Sequence, residues 1–272
     1  GIVLDVINRK RFPGEVTISG GRIGSVREVD GEVPSRYILP GFVDAHMHIE
    51  SSMLVPTEFA RIALRQGTVA AVCDPHEIAN VCGEEGIDFM IQNGREARLK
   101  FSFGAPSCVP ATPFETAGAE LDADAVARLL DREDIPFLGE MMNWPGVLAE
   151  DPGVMAKIRA ALDRGKPVDG HAPGLTGARA TRYIAAGIST DHECSSLKEA
   201  LDKLEKGMRI LIREGSAARD FDELIPALER YPGRIMLCSD DKHPDDLQQG
   251  HINTLAARAL QLGFDMWTVL EA

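Results

Sequence analysis

Eight apolar segments, each followed by a stretch of helical periodicity, constrain the fold of this chain more than any other feature. Successive segments start about 20 to 34 residues apart, which is the length of one strand-plus-helix unit. Between them, apolar residues recur at i, i+3 and i+4, as in Phe59–Leu64 and Val126–Leu130. The predicted strands begin near Phe42, Thr68, Phe101, Ile135, Pro167, Ile188, Met208 and Arg234. The pattern therefore predicts alternating β and α units.

Signals that start and end helices agree with this alternation. Ser196–Glu199 has the form of a capping box at the start of a helix. Glycines follow four helical runs and precede strands, where a left-handed C-terminal cap is expected: Gly67, Gly165, Gly187 and Gly207. Short connections from helix to strand favour an α/β fold of the (β/α)8 TIM-barrel type, with a doubly wound open sheet as the alternative.

The opening segment, residues 1–38, has a different pattern. Glu15–Ile18 and Arg22–Val26 predict two strands that are joined by a turn at Gly20-Gly21. Two or three strands cannot bury a face alone in water, so they must pack on the rest of the chain or on sequence outside it. Because the chain begins at Gly1 rather than at a methionine, we expect it to be a piece of a longer polypeptide.

Charge and cysteine content disfavour several classes of partner and site. Asp and Glu number 42 against 29 Lys and Arg, a net charge of −13 that argues against a nucleic-acid partner. No apolar run reaches the ~18 residues of a membrane helix and no signal-peptide pattern opens the chain, so we expect a cytoplasmic protein without a membrane partner. The 5 cysteines form no Cys-x-x-Cys pair, which disfavours a disulfide framework and a thiolate zinc site.

Two histidines mark the end of the first predicted strand. His46 and His48 lie at i and i+2, so on a strand both imidazoles point to the same face and can bind one cation. All but one of the 7 histidines lie at or after a strand end, and the exception, His251, is expected to begin the last helix. In a (β/α)8 barrel the carboxyl ends of the strands carry the catalytic residues.

Four other predicted strands end in further candidate ligands. On the fourth, fifth, sixth and eighth strands these are Glu140, His171, His192 and Asp240. Any one of them alone would be interpreted as an ordinary polar residue at a strand end. Six residues of ligand type at one barrel mouth predict a metal site.

The residues around these positions resemble a known family. Pro40–His48 is similar to the opening motif of the amidohydrolase superfamily. Longer strings resemble the adenine deaminase family in particular: His48–Met53, Cys73–Val81, Ser107–Thr116 and Ser239–Leu247. The similarity runs across nearly the whole chain, and the last three strings are more specific than the His-x-His pair.

The resemblance implies a centre of two divalent metal ions. One ion would be held by His46, His48 and Asp240, and the other by His171 and His192. Glu140 would bridge the two ions. We expect Mn2+, with Fe2+ or Zn2+ as alternatives, because histidine and carboxylate ligands accept all three.

The reaction that the resemblance implies is hydrolytic deamination of adenine to hypoxanthine and ammonia. The two ions would lower the pKa of a shared water and supply hydroxide near neutral pH. Asp240 would take the proton and relay it to the departing ammonia, with Asp241 as the alternative ligand. Glu77 would protonate a ring nitrogen, unless it is a solvated loop residue. Contacts to the base, or support of the ligands, are expected from Asp74, His76, Ser107 and His243.

The resemblance also implies the domain organisation. Residues 1–38 would form part of a small N-terminal β-sandwich and residues 39–272 the metal-dependent barrel, without the N- and C-terminal parts of the family's full length. Two other functions stay open: hydrolysis of another cyclic amide or amidine, including deacetylation, and metal binding without activity in a truncated homologue. The oligomeric state is also open, and a homo-oligomer is compatible with the sequence.

Overall fold

Four strands near the amino terminus form a sheet of their own in the computed structural model, which describes residues 1–112 and 114–272. They are β1 (Ile2–Asp5), β2 (Lys10–Ser19), β3 (Arg22–Glu28) and β4 (Tyr37–Ile38), in the order β3-β2-β1-β4. β2 pairs antiparallel with β1 and β3, and β4 pairs parallel with β1. The predicted turn is confirmed, because Gly20 and Gly21 join β2 to β3 with φ of 57° and 74°.

The parallel strands follow in the rest of the chain. They are β5 (Phe42–His48), β6 (Thr68–Cys73), β7 (Lys100–Phe103), β8 (Leu138–Met141), β9 (Val168–Gly170), β10 (Thr190–Asp191), β11 (Arg209–Arg213), β12 (Ile235–Cys238) and β13 (Asp240–Asp241). Three groups pair in the orders β13-β5-β6-β7, β8-β9 and β10-β11-β12. Isolated parallel bridges join Ala105 to Leu138 and Val168 to Ile188. Each of the eight predicted strands corresponds to one of β5 to β12.

Two of these strands begin later than the sequence predicted. β8 begins at Leu138 instead of near Ile135, because the Ile135 carbonyl accepts a hydrogen bond from Lys166 Nζ (2.6 Å) and Pro136 has no N–H for a ladder. β10 begins at Thr190, and Ile188 contributes a single bridge.

Helices separate every two successive strands from β5 to β12. They are α1 (Pro56–Ala63), α2 (His76–Arg95), α3 (Ala123–Leu130), α4 (Trp144–Leu148), α5 (Pro152–Asp163), α6 (Gly177–Ala185), α7 (Leu197–Glu205), α8 (Phe221–Leu224), α9 (Ala227–Arg230), α10 (Pro244–Gln249), α11 (Ile252–Gln261) and α12 (Met266–Glu271). The two amphipathic stretches named above are confirmed as parts of α1 and α3, whose apolar sides are buried in the core. Two short 3-10 turns lie at Glu50–Ser52 and Leu64–Gln66.

The predicted helix ends agree with the structure. Ser196 Oγ accepts the Glu199 N–H (3.3 Å) at the start of α7. The four cap glycines all have positive φ, between 65° at Gly165 and 105° at Gly187. Pro113, within the string Ser107–Thr116, lies outside the described residues. No helix in the described part of the chain is both long enough and apolar enough to cross a membrane.

Candidate metal centre

The two histidines of β5 lie on the same face of the strand, as their spacing predicted. His46 and His48 are buried, and their Nε2 atoms are 3.1 Å apart. Met47 lies between them in the strand and is fully buried in the core. Alternation along β5 therefore directs both imidazoles to one point.

The other ring nitrogen of each histidine determines which atom is free to bind a cation. His46 Nδ1 lies 2.7 Å from Asp169 Oδ2, and His48 Nδ1 lies 2.9 Å from the Asp74 carbonyl oxygen. Because an ionised carboxylate and a carbonyl only accept hydrogen bonds, each Nδ1 carries a hydrogen. The two Nε2 atoms are then the positions at which the rings can bind a cation, either a proton or a metal ion. The pair fits a metal ion, with Asp169 supporting His46 from behind.

Glu140 lies at the centre of the cluster. Its Oε2 is 2.9 Å from His192 Nε2, 3.0 Å from His171 Nδ1 and 3.7 Å from His46 Nε2. Its Oε1 is 3.9 Å from His48 Nε2. Burial alone would raise the pKa of Glu140, but the facing His192 and His171 hold it well below its usual value. Glu140 thus has histidines near both of its carboxylate oxygens.

The six predicted ligands are brought together. The rings of His46 and His192 stack with centroids 3.9 Å apart, and those of His171 and His192 are 5.3 Å apart. Metal-ligand spacing, with donor atoms within 4.8 Å of one another, is found in four overlapping groups: His46, His48 and Asp240; His46, Glu140 and His192; His48, His76 and Glu140; and His171, His192 and Glu193. The donor set of imidazoles and carboxylates fits divalent metal ions.

Asp240 and Asp241 face different neighbours. Asp240 Oδ1 lies 3.3 Å from His48 Nε2 and 3.7 Å from His46 Nε2. Asp241 Oδ1 instead accepts the Ser51 hydroxyl. Asp240 has φ of 54°, a left-handed backbone conformation that costs energy for a residue with a side chain. The geometry favours Asp240 over Asp241 as the strand-end ligand.

Sequence reasoning missed two charged residues beside Asp240. Arg213 Nη1 donates to Glu193 Oε1 and to Asp240 Oδ2 (3.3 Å), and its Nε donates to Asp220 Oδ2 (2.7 Å). Burial raises the pKa of Asp240, but His48 and the other histidines lower it far more. Arg213 ends β11, the seventh predicted strand. The sequence analysis named no candidate site residue for the seventh strand, and an arginine at the end of that strand was the signal that could have identified one.

The buried carboxylate of Asp44 connects β5 to the residue between β12 and β13. Asp44 accepts hydrogen bonds from Ser239 N (3.0 Å) and Ser239 Oγ (2.5 Å) and lies 2.7 Å from His251 Nε2. His251 Nδ1 in turn lies 2.7 Å from Thr68 Oγ1. The prediction that His251 begins the last helix is wrong, because it caps α11 and α12 follows. Its buried ring lies between Asp44 of β5 and Thr68 of β6, while Ser239, between β12 and β13, binds Asp44 directly.

Two of the residues expected near the substrate hold the Glu140 backbone. Asp74 Oδ2 accepts the Glu140 N–H (2.8 Å), and Ser107 Oγ donates to the Glu140 carbonyl (2.5 Å). His76 Nδ1 lies 3.6 Å from Glu140 Oε1 and has no hydrogen-bond partner among the described residues. Asp74 and Ser107 therefore hold the backbone of Glu140 at its N–H and at its carbonyl.

Glu77 and His243 lie at the edge of the cluster. Glu77 is in the first turn of α2, where the helix dipole favours a carboxylate, and its Oε1 accepts the Ser51 hydroxyl (3.4 Å). His243 caps α10 and is exposed, and its backbone N–H is bound by Ser216 Oγ (2.9 Å). Glu77 thus contacts Ser51, which also donates to Asp241, and neither the Glu77 carboxylate nor the His243 ring forms a hydrogen bond or ion pair with the six candidate ligands among the described residues.

Curated relatives match the whole chain. It is 58% identical over 272 residues to an adenine deaminase of Salinibacter ruber and 56% identical over 272 residues to one of Methanosarcina mazei. These matches cover 100% of this chain but 50% and 49% of the relatives, so the chain spans about half their length.

Solved structures and a family model agree on the fold. A D-hydantoinase from Thermus sp. matches with a TM-score of 0.68 at 14% identity, covering 100% of this chain and 78% of that one. An N-acetyl-D-glucosamine-6-phosphate deacetylase from Mycobacterium smegmatis matches with a TM-score of 0.64 at 16% identity, covering 99% and 84%. These neighbours have folds of the TIM-barrel type. The model of the amidohydrolase family matches residues 37–260. The chain therefore belongs to the amidohydrolase family.

Proposed function

We propose that this chain catalyses the hydrolytic deamination of adenine to hypoxanthine and ammonia. The observation that carries the proposal is the convergence of four histidines on Glu140 beside Asp240, in a chain that is 58% identical along its full length to a relative named adenine deaminase. The chain spans 50% of the length of that relative. The proposal therefore also states that these 272 residues are active without the rest of such a protein.

The proposed centre holds two divalent ions. His46, His48 and Asp240 would bind one ion and His171 and His192 the other, while Glu140 would bridge them. Support comes from the two Nε2 atoms of β5, which lie 3.1 Å apart, and from the contacts of both Glu140 oxygens. Mn2+ is the proposed metal, and Fe2+ or Zn2+ would suit the same donors.

The proposed chemistry divides between the ions and the side chains. Bound divalent ions would activate water as the nucleophile near neutral pH. A carbon–oxygen bond forms at the purine carbon that carries the amino group, and the carbon–nitrogen bond then breaks. Asp240 would accept the proton of the water and pass it to the departing amine, which leaves as ammonia. Glu77 would donate a proton to a ring nitrogen and so make that carbon electrophilic, and the second proton of the water would restore it as the carbon–oxygen bond becomes a carbonyl.

Arg213 would keep Asp240 in the orientation that proton transfer needs. Asp240 Oδ1 faces the β5 histidines, while Oδ2 is held by Arg213, which also binds Glu193. A guanidinium on one oxygen stabilises the ionised carboxylate and prevents its rotation. The other oxygen then stays directed at the centre.

The proposed architecture extends the observed strand pairing. Residues 39–272 would form a closed eight-stranded barrel, and residues 1–38 would be part of a small β-sandwich. The exposed apolar side chains of the N-terminal sheet support the second part, since Ile18, Ile23 and Val26 are 70%, 69% and 50% exposed.

Ammonia release from a panel of bases tests the proposed function. The 272-residue chain, purified after growth with Mn2+, should release ammonia from adenine and accumulate hypoxanthine, with adenosine, guanine and cytosine turned over far more slowly. Asp240→Asn protein prepared in the same way controls for contaminating deaminase. Activity on another cyclic amide but not on adenine would refute the proposed substrate. Metal-free protein without activity, after growth with Mn2+, would refute the proposed centre.

A further inference from the structure

A fully buried lysine contacts the residues next to His171 and His192. Lys203 of α7 is 1% exposed, and its Nζ donates to the Ala172 carbonyl (2.7 Å), Asp191 Oδ2 (2.8 Å) and Glu199 Oε1 (2.7 Å). All three ammonium hydrogens therefore have acceptors. Burying an ammonium costs free energy unless it is paired. The three contacts of Lys203 therefore hold the acceptor groups in place as well as Lys203 itself.

The acceptors of Lys203 bind, in turn, the backbone next to two candidate ligands. Asp191 Oδ1 accepts the Ala172 N–H (2.8 Å), and Glu199 Oε1 accepts the Gly174 N–H (2.9 Å). Ala172 directly follows His171, and Asp191 directly precedes His192. One charged cluster thus joins the segment after β9 to the end of β10.

This cluster is not itself a cation site. Asp191, Cys194 and Glu199 have metal-ligand spacing, but the Lys203 ammonium already contacts both carboxylates. Although burial lowers the pKa of Lys203, Asp191 and the neighbouring groups raise it above its usual value. Lys203 therefore stays positively charged and repels a metal ion from that position.

We propose that Lys203 is a positioning residue that sets the spacing of His171 and His192, and through them the affinity for the second divalent ion. The inference rests on the two-ion centre of the proposed function. No residue of the cluster touches the substrate in this proposal. Its effect passes through the backbone bonds of Ala172 and Gly174 and through the chain bond from Asp191 to His192. Loss of partners that orient ligands typically lowers metal affinity ~10–100-fold.

Lys203→Met tests the proposal, with Lys166→Met as the matched control. Lys166 Nζ also donates three hydrogen bonds, to the carbonyls of Leu130, Arg132 and Ile135, but it precedes β9 at the end opposite His171. Mn2+ titration calorimetry, metal content after dialysis and the electron paramagnetic resonance signal of coupled Mn2+ pairs are the readouts. We expect Lys203→Met to retain one ion, lose the coupled signal and bind the second ion at least tenfold more weakly. Lys166→Met should be less stable but keep both ions.

A second variant keeps the test decisive if Lys203→Met does not fold. Glu199→Ala leaves the Lys203–Asp191 pair intact and removes the acceptor of the Gly174 N–H, so the second ion should bind several-fold more weakly. Unchanged affinities for both ions in Lys203→Met, or in Glu199→Ala if only that variant folds, would overturn the inference. A wild-type chain that binds fewer than two ions would instead overturn the proposed function, and the inference with it.

Discussion

Asp240 and Asp241 are adjacent in sequence but belong to different surroundings. Asp240 faces two histidines and Arg213, whereas Asp241 binds the hydroxyl of Ser51. Both lie in β13, and successive residues of a strand direct their side chains to opposite faces. Their neighbours therefore differ although the two residues are adjacent.

Replacing each aspartate by asparagine separates their roles. Asp240→Asn keeps the shape and one oxygen but cannot accept a proton, so kcat should fall by ~10²–10⁴-fold while adenine still binds. Asp241→Asn should be milder. Steady-state kinetics on metal-replete protein give the result. If Asp241→Asn lowers kcat more than Asp240→Asn does, the ligand is Asp241. If neither variant lowers kcat more than a few-fold, an aspartate at the end of the eighth predicted strand has no part in proton transfer.

A pair of glutamate variants separates metal bridging from acid catalysis. Glu140→Gln should fold but lose one of the two ions, because a neutral amide is a poor bridge between cations. Glu77→Gln is the matched control, since it should keep both ions and still lose kcat. Metal content and kcat are measured on the same preparations. Two ions per chain and full activity in Glu140→Gln would contradict the bridging role.

At the scale of elements, close strand contacts position the ligands. A Cβ on Gly170, the last residue of β9, would lie 2.1 Å from the Thr190 carbonyl oxygen of β10. A Cβ on Gly139 of β8 would lie 2.3 Å from Asp74 Oδ2, the group that holds Glu140. Glycine at Gly170 lets the ends of β9 and β10 approach closely, and glycine at Gly139 leaves room for the Asp74 carboxylate that holds Glu140.

Gly170→Ala should force β9 and β10 apart. Backbone cannot move aside as a flexible side chain can, so we expect a loss of roughly 1–3 kcal/mol in the free energy of unfolding together with weaker Mn2+ binding. Gly165→Ala is the control, because a Cβ there meets no atom within 4 Å and the cost comes from φ of 65° alone. Urea unfolding and Mn2+ titration distinguish the two. Wild-type metal affinity in Gly170→Ala would show that the close approach does not position the histidines.

The sequence predicted the strands and their terminal residues well, because both follow from local patterns. His46 and His48 needed only the two-residue period of a strand, and Glu140 needed only its place after an apolar run. The contacts that support these residues could not be predicted from the sequence, since they join distant segments: Asp169 contacts His46, 123 residues away. In the sequence, Lys203 is one charged residue of a helical pattern, and only the packing of α7 reveals its three buried acceptors.

At the scale of the whole molecule, the centre joins strands from both ends of the parallel series. β13 pairs with β5 through Asp240 and Met47, and Asp44 binds Ser239 across 195 residues of chain. Ligands from strands this far apart exist as one site only in the folded chain. A bound ion therefore stabilises the native state and has little affinity for the unfolded one.

Removing the metal should consequently lower the thermal stability of the whole chain. An ion present at about 100 times its Kd stabilises the native state by about 2.7 kcal/mol, which corresponds to roughly 5–10 °C in Tm for a domain of this size. Differential scanning fluorimetry with Mn2+, and again after chelation and dialysis, measures the shift. Without a metal ion, the charge of Glu140, Asp169 and Asp240 is offset only by protonation of the histidines between them. Glu140→Gln, with one ion fewer, should show a smaller difference between the two conditions. Equal Tm values for wild-type protein with and without metal would mean that the cluster binds no ion in the native state.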